Sequence, residues 1–247
     1  MGVILFILAS GSVGARLLLL YRRLKQPPEL FLGLAYLLAG TFGWAVLLVG
    51  TLTTPPGQHV SERYQAFSVV MGDLGTFCFY LFVWYVFRRD SAVAKALLAL
   101  AALALVVSLG ADTVVRGVTY GPPPGTASTI AGSIARAFVF PWMAWEALSS
   151  YMAFRRRARV GLGNPLVQNR LLLWGLSALA TFGISGTATA LYWTASDVAD
   201  AVVKQNQATG LYGALGAISA CLLWLAFFPS QRYQRFIEAP KEAHDGR

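Results

Sequence analysis

Residues 93–115 read VAKALLALAALALVVSLGADTVV, a run in which alanine, leucine and valine dominate. A helix that crosses the hydrocarbon core of a bilayer needs roughly 20 mostly apolar residues. A strand of a membrane β-barrel would instead alternate apolar and polar residues with a period of two, and this run lacks that alternation. The run therefore predicts a transmembrane helix.

Six other windows along the 247 residues have the same character. The predicted segments 1 to 7 lie at about 3–21, 30–53, 66–87, 93–115, 127–154, 171–193 and 208–229. Residues 230–247 form a short polar tail after the last segment. The sequence thus predicts an all-α, polytopic membrane protein built as a seven-transmembrane helix bundle.

The overall composition agrees with that fold class. Hydrophobic residues make up 56% of the chain and charged residues 13%, and the mean hydropathy is +0.57. A soluble domain carries about 25% charged residues. The net charge of +9 and the pI near 9.9 would suggest a nucleic-acid partner. Because the basic residues stand between long apolar runs, we expect no nucleic-acid partner.

The basic residues predict the orientation of the segments. Positive residues concentrate in cytoplasmic loops, and fifteen of the twenty lie on one side: three after segment 1, three after segment 3, five after segment 5 and four in the tail. This asymmetry predicts an outer N-terminus and a cytoplasmic C-terminus. Segment 1 has no positive residue before its apolar run and is followed by Arg22 and Arg23, which indicates an anchor rather than a cleaved signal peptide.

Metal, haem and disulfide chemistry find little support in the sequence. Cys78 and Cys221 fall inside segments 3 and 7, where small apolar packing is the simpler interpretation. His59 and His244 are the only histidines, and no CxxC or HExxH motif occurs. We therefore expect no cofactor, no metal and no catalytic residue, and we do not expect an enzyme.

Two sequence matches at nearly equal offsets indicate an internal repeat. Thr41-Phe42-Gly43 in segment 2 returns as Thr181-Phe182-Gly183 in segment 6, 140 residues later, and Gly72–Gly75 aligns with Gly213–Gly216 at an offset of 141. The offsets predict a 3+1+3 parallel repeat in which segment 4 is the linker. The alternative is seven unrelated helices that share a limited alphabet.

This architecture resembles the broad group that holds SWEET and PQ-loop transporters and microbial rhodopsins. The resemblance covers residues 1–229 and is not carried by specific motifs: segment 7 has no Schiff-base lysine, and the PQ dipeptide is absent. The runs PELFLGL (Pro28–Leu34) and NPLVQNR (Asn164–Arg170) are also similar to segments of uncharacterised bacterial seven-helix proteins. That likeness implies a multi-pass protein of the cell membrane, the inner membrane of a bacterium, and supplies no activity.

Four charged residues stand away from the ends of the predicted segments, where a charge is costly and usually functional. Asp73 and Arg136 lie at matched depths in segments 3 and 5, and Arg16 and Glu146 in the inner half of segments 1 and 5. Their depths suggest Asp73–Arg136 and Arg16–Glu146 pairs. Alternatively, Arg16 snorkels to the cytoplasmic surface, and the Asp73–Arg136 pair only fixes helix register.

Pro141 lies between Arg136 and Glu146 and is followed by Trp142. A proline in mid-helix removes one backbone hydrogen bond and bends the helix. A bend next to charged and aromatic side chains points to a cavity, although neighbouring groups also make ordinary membrane prolines tolerable.

These residues suggest two classes of function. The first is translocation of a small solute or ion along a path that includes Arg16, Asp73, Arg136, Pro141, Trp142 and Glu146. The second is a sensor or receptor that signals to a cytoplasmic partner through its basic loop, Arg155, Arg156 and Arg157. The same loop can bind anionic lipid at the cytoplasmic face of the bilayer. A homo-oligomer and a purely structural role are left open.

Overall fold

The computed structural model describes residues 2–55, 60–116, 127–158, 164–196 and 198–238. The described residues form only helices, turns and loops, which confirms the all-helical prediction. The helices are α1 (Gly2–Leu24), α2 (Pro27–Thr53), α3 (Glu62–Phe87), α4 (Ala92–Arg116), α5 (Ala127–Ala158), α6 (Pro165–Trp193), α7 (Val198–Gln207), α8 (Thr209–Phe227) and α9 (Gln231–Glu238). Segments 1 to 6 coincide with α1 to α6, and segment 7 coincides with α8.

Six helices of the described chain are long and apolar enough to cross a membrane: α1, α2, α3, α4, α6 and α8. Helix α5 is longer still, with 32 residues, but it is not among the six. Its sequence contains Arg136 and Glu146, and three arginines follow in its last turn, all of which lower its hydropathy. Six such helices indicate a multi-pass membrane protein.

Prolines begin two of these helices. Pro27 and Pro28 occupy the first turn of α2, and Pro165 begins α6. The first turn tolerates proline because its N–H groups have no partner within the helix. In α6 the Asn164 side chain also accepts hydrogen bonds from the Leu166 and Val167 amides, at 3.0 and 3.3 Å, which fixes where the helix starts.

The middle of α2 differs from a regular helix. Tyr36–Gly43 is π-helical, and the Thr41 hydroxyl donates to the Tyr36 carbonyl five residues back, at 3.2 Å. The corresponding Thr-Phe-Gly run in α6 lies in ordinary α-helix. The wider segment packs closely on α3, because a Cβ added to Gly75 would overlap the backbone of Ala39. The two matching tripeptides therefore have different backbones.

The helices pack in a ring that follows chain order. Helix α2 lies between α1 and α3, α4 lies against α3 and α5, α6 lies between α5 and α8, and α8 closes the ring on α1. Helices α3 and α5 also contact each other directly. Tyr80, Val83 and Val139, which come from these two helices, are among the most buried side chains. The core therefore lies around the α3–α5 contact.

Large apolar side chains cover much of the outer surface. Leu52, Val93 and Val106 are exposed by 76%, 70% and 67%, which water disfavours. In a bilayer such side chains face lipid, so the exposed surface agrees with a multi-pass membrane protein.

Helices α7 and α9 are short and lie outside the predicted segments. Lys204 of α7 contacts Asp200 one turn earlier, with an Nζ–Oδ2 distance of 2.9 Å. Helix α9 occupies the first part of the predicted tail, and Tyr233 joins it to Asn169 of α6 through a 3.0 Å hydrogen bond. The tail prediction beyond residue 238 lies outside the described residues.

Candidate functional site

The predicted Asp73–Arg136 pair is present in the structure. Arg136 Nε donates to Asp73 Oδ1 at 2.6 Å, and Arg136 Nη2 donates to Oδ2 at 2.9 Å. The Asp73 side chain is 7% exposed and that of Arg136 is 32% exposed. Two parallel hydrogen bonds between a guanidinium and a carboxylate are strong and directional. This contact, the Asp73 pair, joins α3 to α5.

The predicted Arg16–Glu146 pair is wrong. Glu146 is bound instead by Arg88, whose Nε lies 2.8 Å from Glu146 Oε1, and the Arg16 guanidinium lies 4.7 Å from the centre of the Phe228 ring. The reason is the order of the ring: in the described residues α1 does not contact α5, whereas α3, which ends just before Arg88, does. We call the Arg88–Glu146 contact the Glu146 pair.

The two pairs join the same two helices in the same order. Asp73 precedes Arg88 on the α3 side, and Arg136 precedes Glu146 on α5. Helices α3 and α5 therefore run in the same sense. The pairs are separated by 15 positions on one chain segment and 10 on the other, which corresponds to about 22 and 15 Å of helix.

Aromatic side chains fill the space between the pairs. The Tyr80 and Trp142 rings are 5.9 Å apart, and the Phe79 and Phe140 rings are 5.7 Å apart. The Tyr80 hydroxyl donates to the carbonyl of Ala135 at 2.8 Å. We call Phe79, Tyr80, Phe140 and Trp142 the aromatic layer. It packs across the α3–α5 interface between the two pairs.

Helix α5 continues through Pro141 without a break. On the following turn the Trp142 indole Nε1 donates to Glu146 Oε1 at 3.2 Å. Oε1 thus accepts hydrogen bonds from both Trp142 and Arg88. Of the residues predicted around the proline, Trp142 and Glu146 are in direct contact.

A cavity of about 340 Å³ lies beside the Glu146 pair. Its walls come from the α3–α4 turn, the start of α4 and the middle of α5, and the lining residues are Arg88, Ser91, Val93, Ala94, Leu97, Trp142, Trp145 and Glu146. The volume is at the lower end of the range for small-molecule sites. The cavity combines one carboxylate, one guanidinium and two indole rings.

The electrostatics keep Arg88 charged. The hydrogen bond from Arg88 to Glu146 raises the pKa of the guanidinium above its ordinary value, with a smaller contribution from the Glu146 charge. Since that ordinary value already lies far above neutral pH, Arg88 does not lose its proton near neutrality.

Two buried polar features escaped sequence reasoning. Ser108 of α4 is buried, and its hydroxyl has no hydrogen-bond partner among the described residues. It lies against Gly132, one turn before Arg136. The Ser177 and Ser219 hydroxyls are 2.8 Å apart across α6 and α8, and Thr181 lies 3.1 Å from Ser219. An isolated serine in an apolar segment carries no signal that reveals such contacts.

The other predicted site residues lie away from the two pairs. Arg155, Arg156 and Arg157 are exposed at the end of α5, and the Arg157 guanidinium lies 5.6 Å from the centre of the Phe154 ring. Cys78 and Cys221 are free thiols. In the described part of the chain, no three His, Cys, Asp or Glu residues are grouped so as to hold a metal ion.

Comparison with protein-family models, with curated proteins and with solved structures gives no match.

Proposed function

We propose that this chain is a seven-helix membrane protein that translocates a small solute or ion along the α3–α5 interface. The observation that carries the proposal is the sequence of contacts along that interface: an ion pair, the aromatic layer and a second ion pair next to a cavity. Such an order suits a path that is closed at both ends.

The proposal requires α5 to cross the membrane together with the six apolar helices. Its 32 residues span about 48 Å, more than the bilayer core needs. Its two interior charges are each paired with an opposite charge at α3 or its end. Pairing lowers the cost of placing them in the membrane. With seven spans, the basic loops favour an outer N-terminus and a cytoplasmic C-terminus, as in a bacterial inner membrane.

The 3+1+3 repeat belongs to the same proposal. The ring places α2 between α1 and α3, and α6 between α5 and α8, while α4 contacts only α3 and α5 among the described residues. Two similar triplets and a linker would give this arrangement. The π-helix in α2 would then be a specialisation of the first triplet.

In the proposed mechanism each ion pair is a gate. Opening the Asp73 pair would admit solute from the outer side, and opening the Glu146 pair would release it to the cytoplasmic side. Arg88 suits a movable gate, because its side chain is 51% exposed and it stands in the turn after α3. Asp73 and Glu146 are the groups that would coordinate a cation or accept a proton.

Uptake into proteoliposomes tests this function. Wild type, Asp73→Asn and Glu146→Gln would be compared over a panel of monovalent cations, sugars and amino acids, with Asp200→Asn as a surface control. We expect uptake of at least one panel member by the wild type, a clear decrease in both gate variants and no change in the control. Uptake that is the same in wild type and both gate variants would refute the proposal.

A sensor or receptor is the second candidate, and the continuity of α5 favours it. One unbroken helix carries Glu146 at the cavity and the exposed Arg155–Arg157 at its end. Ligand binding at the cavity could shift that basic end against a cytoplasmic protein or anionic lipid. Recovery of a specific cytoplasmic protein that is lost when the three arginines are replaced by alanine, without any flux, would favour signalling.

A further inference from the structure

The cavity beside the Glu146 pair has one unused acceptor and several unused donors. Both hydrogen bonds to Glu146 reach Oε1, and in the described residues Oε2 accepts none. Arg88 uses Nε for this contact, and no hydrogen bond from its two Nη atoms to the described residues is present. The pair therefore retains a carboxylate oxygen and two guanidinium nitrogens for a ligand.

The charges of the site select against simple ions. A lone cation attracted by Glu146 would be repelled by Arg88, and a lone anion attracted by Arg88 would be repelled by Glu146. Because the two charges lie within 2.8 Å of each other, their fields largely cancel for a single charge. A molecule that carries both charges can place its cationic group at hydrogen-bond distance from Glu146 and its anionic group at hydrogen-bond distance from Arg88. Both contacts are then attractive.

The aromatic side chains add preference for an ammonium group. Trp142 is almost fully buried and Trp145 is 66% exposed, and both line the cavity. Indole rings attract ammonium groups through their faces. Val93, Ala94 and Leu97 supply an apolar wall on the α4 side, which suits a short hydrocarbon portion.

We propose that this cavity binds a zwitterion, with its ammonium group at Glu146 Oε2 and its carboxylate or phosphate at the Arg88 Nη atoms. The inference rests on the proposed function, in which this cavity belongs to the translocation path. The zwitterion can be a free small molecule or the headgroup of a lipid such as phosphatidylethanolamine, because Val93 and Trp145 in the cavity wall are 70% and 66% exposed and leave the cavity open to the outer surface of the bundle.

Three matched probes test this preference on the unaltered protein. γ-Aminobutyrate carries both charges, n-butylammonium carries only the positive one, and butyrate carries only the negative one. Isothermal titration of the purified protein in detergent should give a dissociation constant for γ-aminobutyrate at least tenfold lower than for either ion, since one charge-assisted hydrogen bond contributes roughly ten- to hundredfold. Equal affinity for all three probes would overturn the inference.

A separate experiment tests whether the zwitterion is a lipid headgroup. Nanodiscs that contain phosphatidylethanolamine, phosphatidylglycerol or both would be examined by native mass spectrometry. Retention of phosphatidylethanolamine in preference to phosphatidylglycerol, reduced about tenfold in Glu146→Gln, would assign the site to a lipid headgroup. Preference for γ-aminobutyrate without lipid selectivity would assign it to a free zwitterion. Absence of both preferences would overturn the proposal.

Two variants locate the site and one controls for it. Arg88→Gln should bring γ-aminobutyrate binding down to the level of n-butylammonium, and Glu146→Gln should bring it to the level of butyrate. Lys204→Gln, in α7 and outside the cavity lining, should change nothing. Wild-type affinities for both γ-aminobutyrate and phosphatidylethanolamine in Arg88→Gln and Glu146→Gln would place the ligand elsewhere. Zwitterion binding without uptake would contradict translocation while this inference stands.

Discussion

The Asp73 pair should make a large, measurable contribution to the free energy of unfolding. Replacing Arg136 by glutamine leaves the Asp73 carboxylate, which is 7% exposed, without its two charged hydrogen bonds. Breaking a buried pair costs about 3–5 kcal/mol. Since a third of Arg136 is exposed, we take the lower end, about 3 kcal/mol for Arg136→Gln. Asp73→Asn retains an amide acceptor and should cost about 2 kcal/mol.

A double-mutant cycle isolates the contact between the two side chains. If the pair accounts for most of both losses, the double variant should be little worse than Arg136→Gln alone, and the coupling energy should be about 2 kcal/mol. The measurement is reversible unfolding of the purified protein in mixed micelles with increasing denaturing detergent. The control cycle uses Asp200→Asn and Lys204→Gln, because both side chains of that pair are about 30% exposed, whereas Asp73 is 7% exposed, and pairs in contact with solvent contribute little.

Additive destabilisation by the two substitutions would refute the predicted coupling between Asp73 and Arg136. A coupling energy below about 0.5 kcal/mol would mean that the two residues act independently. The two side chains would then not be in contact in the folded protein. A coupling energy in the Asp200–Lys204 cycle as large as that of the Asp73 pair would show that burial of Asp73 does not strengthen its pair.

Three further substitutions test the packing of α3. Gly75→Ala should lower the melting temperature sharply, because the added methyl group meets the backbone of Ala39. Gly72→Ala is the matched control: its methyl group meets nothing within 4 Å, so the melting temperature should stay unchanged or rise slightly. Equal effects of the two substitutions would contradict the close contact of α2 and α3. Tyr80→Phe should cost about 1 kcal/mol in the same unfolding assay through loss of the hydrogen bond to Ala135; a neutral result would show that this bond does not stabilise the protein.

Much of the helical framework could be predicted from the sequence, because a bilayer demands long apolar runs. Residues 93–115 contain almost nothing else, and α4 extends over nearly the same residues. The π-helical middle of α2 could not be predicted in this way. It depends on how closely α3 approaches at Gly75, and no local pattern in Tyr36–Gly43 records that approach.

The ion pairs could be predicted from the sequence only where the depth of a charged residue in the membrane is enough to identify its oppositely charged partner. Asp73 and Arg136 lie at matched depths on helices that are in contact, and they pair. Depth also matched Glu146 with Arg16, but the ring keeps α1 away from α5. Arg88 has the position of a basic residue in a cytoplasmic loop. The sequence therefore indicates a role in the orientation of the helices, and not the contact with Glu146. Which helices are neighbours is a tertiary property, and one sequence does not contain it in readable form.

The most direct test of two gates is passive leak through the reconstituted protein. Release of trapped solute would be measured from vesicles that hold wild type, Asp73→Asn, Glu146→Gln or the double variant. Either remaining pair still closes one end, so each single variant should leak little more than wild type, and the double variant should leak at least tenfold faster than either. Leak in the double variant that equals the wild-type rate, or the sum of the two single effects, would contradict a path closed by these two ion pairs.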